Sequence, residues 1–190
     1  VPMADAAKKE GVKVYHLNLG QPDIKSPECA LNAVKNFSQE NVSYSHSAGL
    51  MDLRKGLVEK YYKKIGINIS VDELIVTVAG SESVNLALEI TCNPGDEVIV
   101  LEPFYTKYNT FAFMNGLTLK AIQTDIRNGF QIPPIEEFEK AITDKTKAIL
   151  VCNPGNPTGT QYSKESMLAL GEIARKHDLF LLSDEVYREF

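Results

Sequence analysis

Four short segments of this 190-residue chain carry groups able to do chemistry, and each directly follows an apolar run. Ala79-Gly80-Ser81-Glu82 sits where a β-branched run hands over to a helical pattern; free N–H groups and the helix dipole make such a junction an anion site, and a phosphate fits there. The same residues also read as a plain turn in which glycine supplies backbone freedom. Glu82 complicates the first reading, because its carboxylate repels a phosphate unless the side chain leans away. Pro103-Phe104-Tyr105 places a tyrosine just past a strand end, able either to stack on a flat heterocycle or to fill a helix face. Asn153-Pro154-Gly155-Asn156-Pro157-Thr158-Gly159 packs two Asn-Pro pairs and two glycines into seven residues. It reads as a stiff, non-helical loop with fixed side-chain amides, or as a long connecting turn. Asp184-Glu185-Val186-Tyr187 ends an apolar strand with a carboxylate that, once partly buried, wants a cationic partner such as a protonated ring nitrogen; an N-cap or an ion pair serves equally.

These segments must be positioned by the elements before them. The pattern predicts strands over 14–19, 74–78, 97–101, 117–122, 148–152 and 179–183, from β-branched or alternating runs bounded by turn residues. Helices are predicted from Ser26 as N-cap with Ala30, Val34 and Phe37 as the apolar stripe, and over 50–61 with Leu50, Leu53, Leu57, Val58 and Tyr61, ending near Gly66. Further helices follow Gly80 and run over 104–114, around 135–142 and over 164–177. Strands alternating with helices imply an α/β fold: a three-layer α/β/α arrangement around a mostly parallel sheet. In such sheets ligands bind beyond the carboxyl ends of the strands, which is where all four segments fall.

Composition narrows the function class. With 44% hydrophobic and 24% charged residues and a net charge of −5, the acidic and basic residues interleaved, there is no basic footprint for nucleic acid. No apolar run approaches the roughly 20 residues that span a bilayer, and the expectation is a cytoplasmic protein acting on small molecules. Cys29, Cys92 and Cys152 are dispersed and odd in number, so neither a disulfide framework nor a metal site is expected; all three read as small core residues.

Asn156-Pro157-Thr158-Gly159 followed by Ser183-Asp184-Glu185-Val186-Tyr187 resembles the class I/II aminotransferases, the aspartate-aminotransferase-like enzymes of fold type I. Leu19-Gly20-Gln21-Pro22-Asp23, Tyr44 with Gly49 and Leu53-Arg54, and Pro94-Gly95-Asp96-Glu97-Val98 add motifs in the family's order, so the likeness covers essentially the whole chain. The resemblance implies pyridoxal 5'-phosphate as cofactor. Gly80, Ser81 and the Glu82 backbone would hold its phosphate, and Tyr105 would stack on its ring. Asn156 and Tyr187 would hydrogen-bond its phenolic oxygen, and Asp184 would pair with the ring nitrogen. Gly20 would lie beside the substrate carboxylate, and Tyr44 would reach a neighbouring subunit's phosphate in a homodimer. Residues 1–24 would form an arm belonging partly to the small domain, and 25–190 a partial large domain.

The Schiff-base lysine of the family falls beyond the position matching Phe190. Lys164 is read as solvent-facing in the first turn of its helix, so no catalytic residue is assigned and the 190 residues alone are not expected to transaminate. For the parent protein the resemblance implies amino-group exchange between an amino acid and a 2-oxo acid. The alternatives are a C–S β-lyase or an aminocyclopropane-carboxylate-synthase-like enzyme on the same fold, and, from another class, a non-catalytic cofactor-binding or interaction domain.

Overall fold

The computed structural model describes residues 2–16, 20 and 24–190. The chain divides into two compact units, Val1–Tyr44 and Ser45–Phe190. The boundary expected at residue 24 lies inside the first.

In the first unit, helices α1 (Pro2–Lys9) and α2 (Glu28–Lys35) bury no residue. The stripe expected on α2 is therefore corrected: Ala30, Val34 and Phe37 are all exposed, as is Cys29. An amphipathic face is buried only against a partner surface, and the described residues of this unit offer none. Pro27, not Ser26, is the N-cap, without a side-chain cap bond. The strand expected over 14–19 is absent at 14–16, and 17–19 lie outside the described residues.

The second unit is built on four parallel strands, β1 (Glu97–Glu102), β2 (Thr118–Gln123), β3 (Thr146–Cys152) and β4 (Phe180–Asp184), in the order β2-β1-β3-β4. The register pairs Val98 with Leu119 and Ala148, and Leu150 with Leu182. Side chains alternate across the sheet, so each strand supplies both faces. Val98, Val100, Ala148 and Leu150 point to one side, where α4 (Gly80–Thr91) and α5 (Lys107–Met114) add Leu88, Tyr108, Phe111 and Ala112. Ile99, Leu101, Ile122, Ile149 and Val151 point to the other, where α6 (Ile135–Ala141) and α7 (Lys164–Lys176) add Phe138, Leu170 and Ile173. The α/β/α sandwich expected from the sequence is what forms. Its core strands read as continuous apolar runs because both faces are covered.

The connection from β1 runs to β2 by α5 on one side of the sheet. Those from β2 to β3 and from β3 to β4 run by α6 and α7 on the other. The direction of winding therefore reverses between β1 and β3, and the loops after these two strands part to leave a crevice at their carboxyl ends.

One expected strand does not form. Residues 74–78 join no sheet among the described residues: Leu74 has an extended backbone, Val78 lies in a bend, and Ile75 and Val78 are exposed. β-Branched residues favour an extended backbone, yet a strand also needs a partner ladder. The segment is held instead by single bonds. Val76 N–H donates to the Ala48 carbonyl at 3.0 Å. Arg54, buried in α3 (Met51–Lys60), donates Nε to the Leu74 carbonyl at 3.0 Å and Nη2 to that of Val71. Arg54 and Val58 are the buried residues of α3, while Leu50 and Leu53, expected in its stripe, are exposed. Gly49 permits the close crossing: at φ +94° a Cβ there would lie 2.6 Å from that of Val76. A 3₁₀ turn over Tyr62–Ile65 then ends at Gly66 in the left-handed region, as the sequence predicts.

No helix among the described residues is long and apolar enough to cross a membrane.

Candidate functional site

The crevice holds a cavity of about 190 Å³ into which six of the nine sequence-expected residues converge. Gly80 and Ser81 come from the start of α4, Tyr105 from the loop after β1, Asn156 from the loop after β3, and Asp184 and Tyr187 from the end of β4 and the turn beyond.

At the α4 end, the first bond of the helix runs from Glu82 N–H to the Ala79 carbonyl at 3.0 Å. The N–H groups of Gly80 and Ser81 precede that ladder, and the N-cap Ala79 has no side-chain oxygen to turn on them. Glu82 departs from its expected part. Its N–H is engaged within the turn, and it does not line the cavity. Its carboxylate folds back to accept from Val78 N–H at 2.6 Å, which holds it within the turn before the helix.

The loop of 153–159 is braced from within. Gly155 N–H donates to the Thr160 carbonyl and Gly159 N–H to the Gly155 carbonyl, both at 2.8 Å. The Asn153 side chain accepts from Tyr162 N–H at 2.9 Å, and the buried Thr160 hydroxyl donates to the Gly129 carbonyl at 2.7 Å. Gly155 leaves room for this packing, since a Cβ there would come within 2.7 Å of Thr158 Oγ1 and force that side chain to shift. With the backbone so fixed, Asn156 Nδ2 donates to the Tyr187 hydroxyl at 3.0 Å, closing a gap of 31 positions in sequence. Tyr187 accepts this bond and keeps its own proton to donate.

Asp184 is half-buried, and both of its carboxylate oxygens are engaged from the protein side. Oδ1 accepts from Val186 N–H at 3.3 Å, and Oδ2 accepts from the Tyr108 hydroxyl at 2.8 Å. Tyr108 lies almost wholly inside the core, 1% exposed. Burial, and after it the hydrogen bond and negative charge of Asp184, push its phenol far above its ordinary value, so it is a donor throughout the accessible range. The Tyr108 ring meets Tyr105 edge-on at 5.6 Å and stacks on Phe104 at 6.2 Å, which braces Tyr105 at the cavity wall.

Two residues of this end were not expected from the sequence. Tyr108 carries no motif signal beyond lying one helical turn after Tyr105. Cys152 was expected as core, yet it is half-buried and lines the cavity; burial and then the Asp184 charge push its thiol up. Lys164 is exposed as the first residue of α7, as expected. Gly20 and Tyr44 belong to the first unit and are exposed there.

A larger hollow of about 480 Å³ adjoins the cavity and shares Gly80, Val84, Asp184 and Val186, with Ala87, Leu150, Leu181 and Leu182 as an aliphatic floor. The smaller cavity is the one that gathers the convergent polar groups. Open N–H groups at one end, an aromatic wall, an amide–phenol pair and an anchored carboxylate suit a flat, anionic ligand whose ring is cationic.

Residues 12–190 match the family described as aminotransferase class I and II. The chain is 36% identical over 181 residues to an aspartate/prephenate aminotransferase of Thermus thermophilus, covering 95% of this chain and 47% of that protein. Among solved structures, an aspartate aminotransferase of Thermotoga maritima superposes with a TM-score of 0.92 at 34% identity, over 98% of this chain and 50% of that one. An alanine aminotransferase of Pyrococcus furiosus does so at 0.87 and 36% identity, over 97% and 48%. The chain thus spans about half the length of the relatives it matches.

Proposed function

The chain belongs to the class I and II aminotransferases, whose members use pyridoxal phosphate, and from that premise we propose that it forms the cofactor cradle of an enzyme exchanging an amino group between an amino acid and a 2-oxo acid. The observation that carries this is the meeting of Gly80, Ser81, Tyr105, Asn156, Asp184 and Tyr187 around one cavity at the sheet's switch point.

In this reading the N–H groups of Gly80 and Ser81 bind the phosphate, and the α4 dipole favours its charge. Tyr105 covers one face of the ring and excludes water from it. Asn156 and Tyr187 donate to the phenolic oxygen. The Asp184 carboxylate holds a proton on the ring nitrogen through a charge-assisted hydrogen bond. When bound, the cofactor supplies an electron-withdrawing cationic ring that stabilises negative charge at the substrate α-carbon. Gly20 is assigned to the substrate carboxylate side, and Tyr44 to the phosphate of a second subunit in a homodimer. Residues 1–24 serve as the arm and 25–190 as part of the large domain, in a cytoplasmic protein.

The donor and acceptor are an amino acid and a keto acid; the names of the relatives differ on which, naming aspartate, prephenate and alanine. The test is an assay of the full gene product with pyridoxal phosphate, following keto-acid-dependent amino transfer against release of ammonia. Transfer that requires the keto acid is expected. Ammonia release with no transfer would replace this reading with a lyase, and no uptake of cofactor would leave a binding or interaction domain.

A further inference from the structure

The Asp184 carboxylate is oriented by a residue that no motif marks. We propose that Tyr108 is a positioning residue for the cofactor ring: its hydroxyl, donating to Asp184 Oδ2 at 2.8 Å, locks the carboxylate in the orientation that meets the ring nitrogen. This rests on the reading of Asp184 given above.

A terminal carboxylate turns readily about its last torsion, and a single backbone donor such as Val186 N–H, at 3.3 Å, leaves it loosely held. The second donor reaches it from α5, across 76 positions of sequence, so the two oxygens are fixed from separate elements. The Tyr108 ring cannot drift. It is 1% exposed, packed with Val98, Val100 and Leu150 against the sheet, and flanked by Phe104 and Tyr105. Its phenol stays protonated and so always donates. A neutral donor anchors the carboxylate without cancelling its charge, which leaves that charge for a cationic ring. A lysine or arginine there would neutralise it.

A substitution that deletes only the hydroxyl separates positioning from packing. Tyr108→Phe keeps the ring and its aromatic contacts. In the full gene product, equilibrium affinity is measured for pyridoxal phosphate and for its 1-deaza analogue, which keeps the phosphate and aldehyde but has C–H in place of the ring nitrogen. The wild type is expected to prefer the pyridine. Tyr108→Phe is expected to lose about tenfold in affinity for the pyridine, the size of one hydrogen bond to a charged group, and to leave the analogue within about twofold. Equal losses on both ligands, or none on either, would overturn the proposal. In an Asp184→Asn background the same change is expected to cost no further affinity; a full additional loss would show that the hydroxyl acts elsewhere and would also overturn it. A wild type that binds both ligands alike overturns the reading of Asp184 itself, and one that binds neither overturns the functional reading; the inference about Tyr108 falls with either.

Discussion

The two faces of the sheet are packed by equally apolar strand residues, yet they end differently. On the α6/α7 side the core is aliphatic around Phe138, which is 0% exposed, and α7 begins with its own cap, the Ser163 hydroxyl accepting from Ser166 N–H at 3.1 Å. On the α4/α5 side the core includes a phenol bonded to a carboxylate, and α4 begins without a side-chain cap, its first two residues lining the cavity. One face closes on itself. The other keeps polar groups pointed at a space it does not fill. Folding alone is served by the first arrangement, because a helix start with a polar cap is more stable than one left at Ala79, and apolar side chains in place of both partners of a partly buried phenol–carboxylate pair can be neutral or stabilising. The second arrangement makes sense as preparation for a ligand.

If that division holds, the largest effect on stability comes from the closed face. Phe138→Ala is expected to destabilise the full gene product by about 3–5 kcal/mol, because a fully buried ring is lost and its cavity collapses only in part. Urea unfolding measures it. The cofactor affinity of the molecules that remain folded should not change, since Phe138 packs with Ile99, Ile149 and Leu170 on the face away from the cavity. A parallel loss of affinity would break the comparison.

The mirror experiment is on the open face. Asp184→Asn is nearly isosteric and keeps one oxygen to accept from Tyr108 while giving up the longer bond from Val186 N–H, so unfolding should shift by no more than about 1 kcal/mol. Affinity for pyridoxal phosphate should fall by about tenfold or more, through loss of a charge-assisted hydrogen bond. Equilibrium binding followed by the cofactor's visible absorption checks this. If unfolding suffers as much as with Phe138→Ala, the open face is structural after all.

The same contrast explains what could be read from the sequence. β1 and β3 were legible almost to the residue, because runs such as Val98-Ile99-Val100-Leu101 are buried on both sides and need no knowledge of the partner to be recognised. The run at 74–78 has the same β-branched composition and forms no strand, since pairing is decided by what lies beside it. The stripe of Ala30, Val34 and Phe37 failed for a related reason: periodicity shows which face could be buried, not that a surface is there to bury it. Of the candidate site residues, Asp184 stood out because it ends an apolar strand, at the edge where α/β sheets bind ligands, whereas Asn156 and Tyr187 lie in segments beyond strand ends and were singled out by the family resemblance; all three line one cavity. Tyr108 stood out in neither way. It lies inside a helix, and its partner sits 76 positions away at the end of β4, brought within reach by the fold of the sheet and its helices, which local spacing does not encode. Glu82 could be named as a problem, but the direction of its carboxylate, back toward Val78 N–H, belongs to the folded turn.

The smallest effect belongs to the rim of the closed face, where α6 and α7 are tied by charge. Glu139 accepts from Lys176 Nζ and meets His177 Nε2, both at 2.7 Å. The Lys176 hydrogen bond, more than the His177 contact, holds the Glu139 carboxyl below its ordinary value. A depressed carboxylate pKa gives stability that is present above the unfolded value and is lost as pH falls through the folded one. Glu139→Gln should therefore destabilise slightly near neutral pH and make no difference once the solution is more acid than the ordinary carboxylate range. The group is at the surface and screened by solvent, so the shift should also shrink in high salt. Unfolding midpoints of the two proteins, compared across that acid limb at low and high salt, check this. A Glu139→Gln penalty that persists in acid would mean that the residue holds α6 to α7 by packing, and that the closed face depends on apolar contact out to its rim.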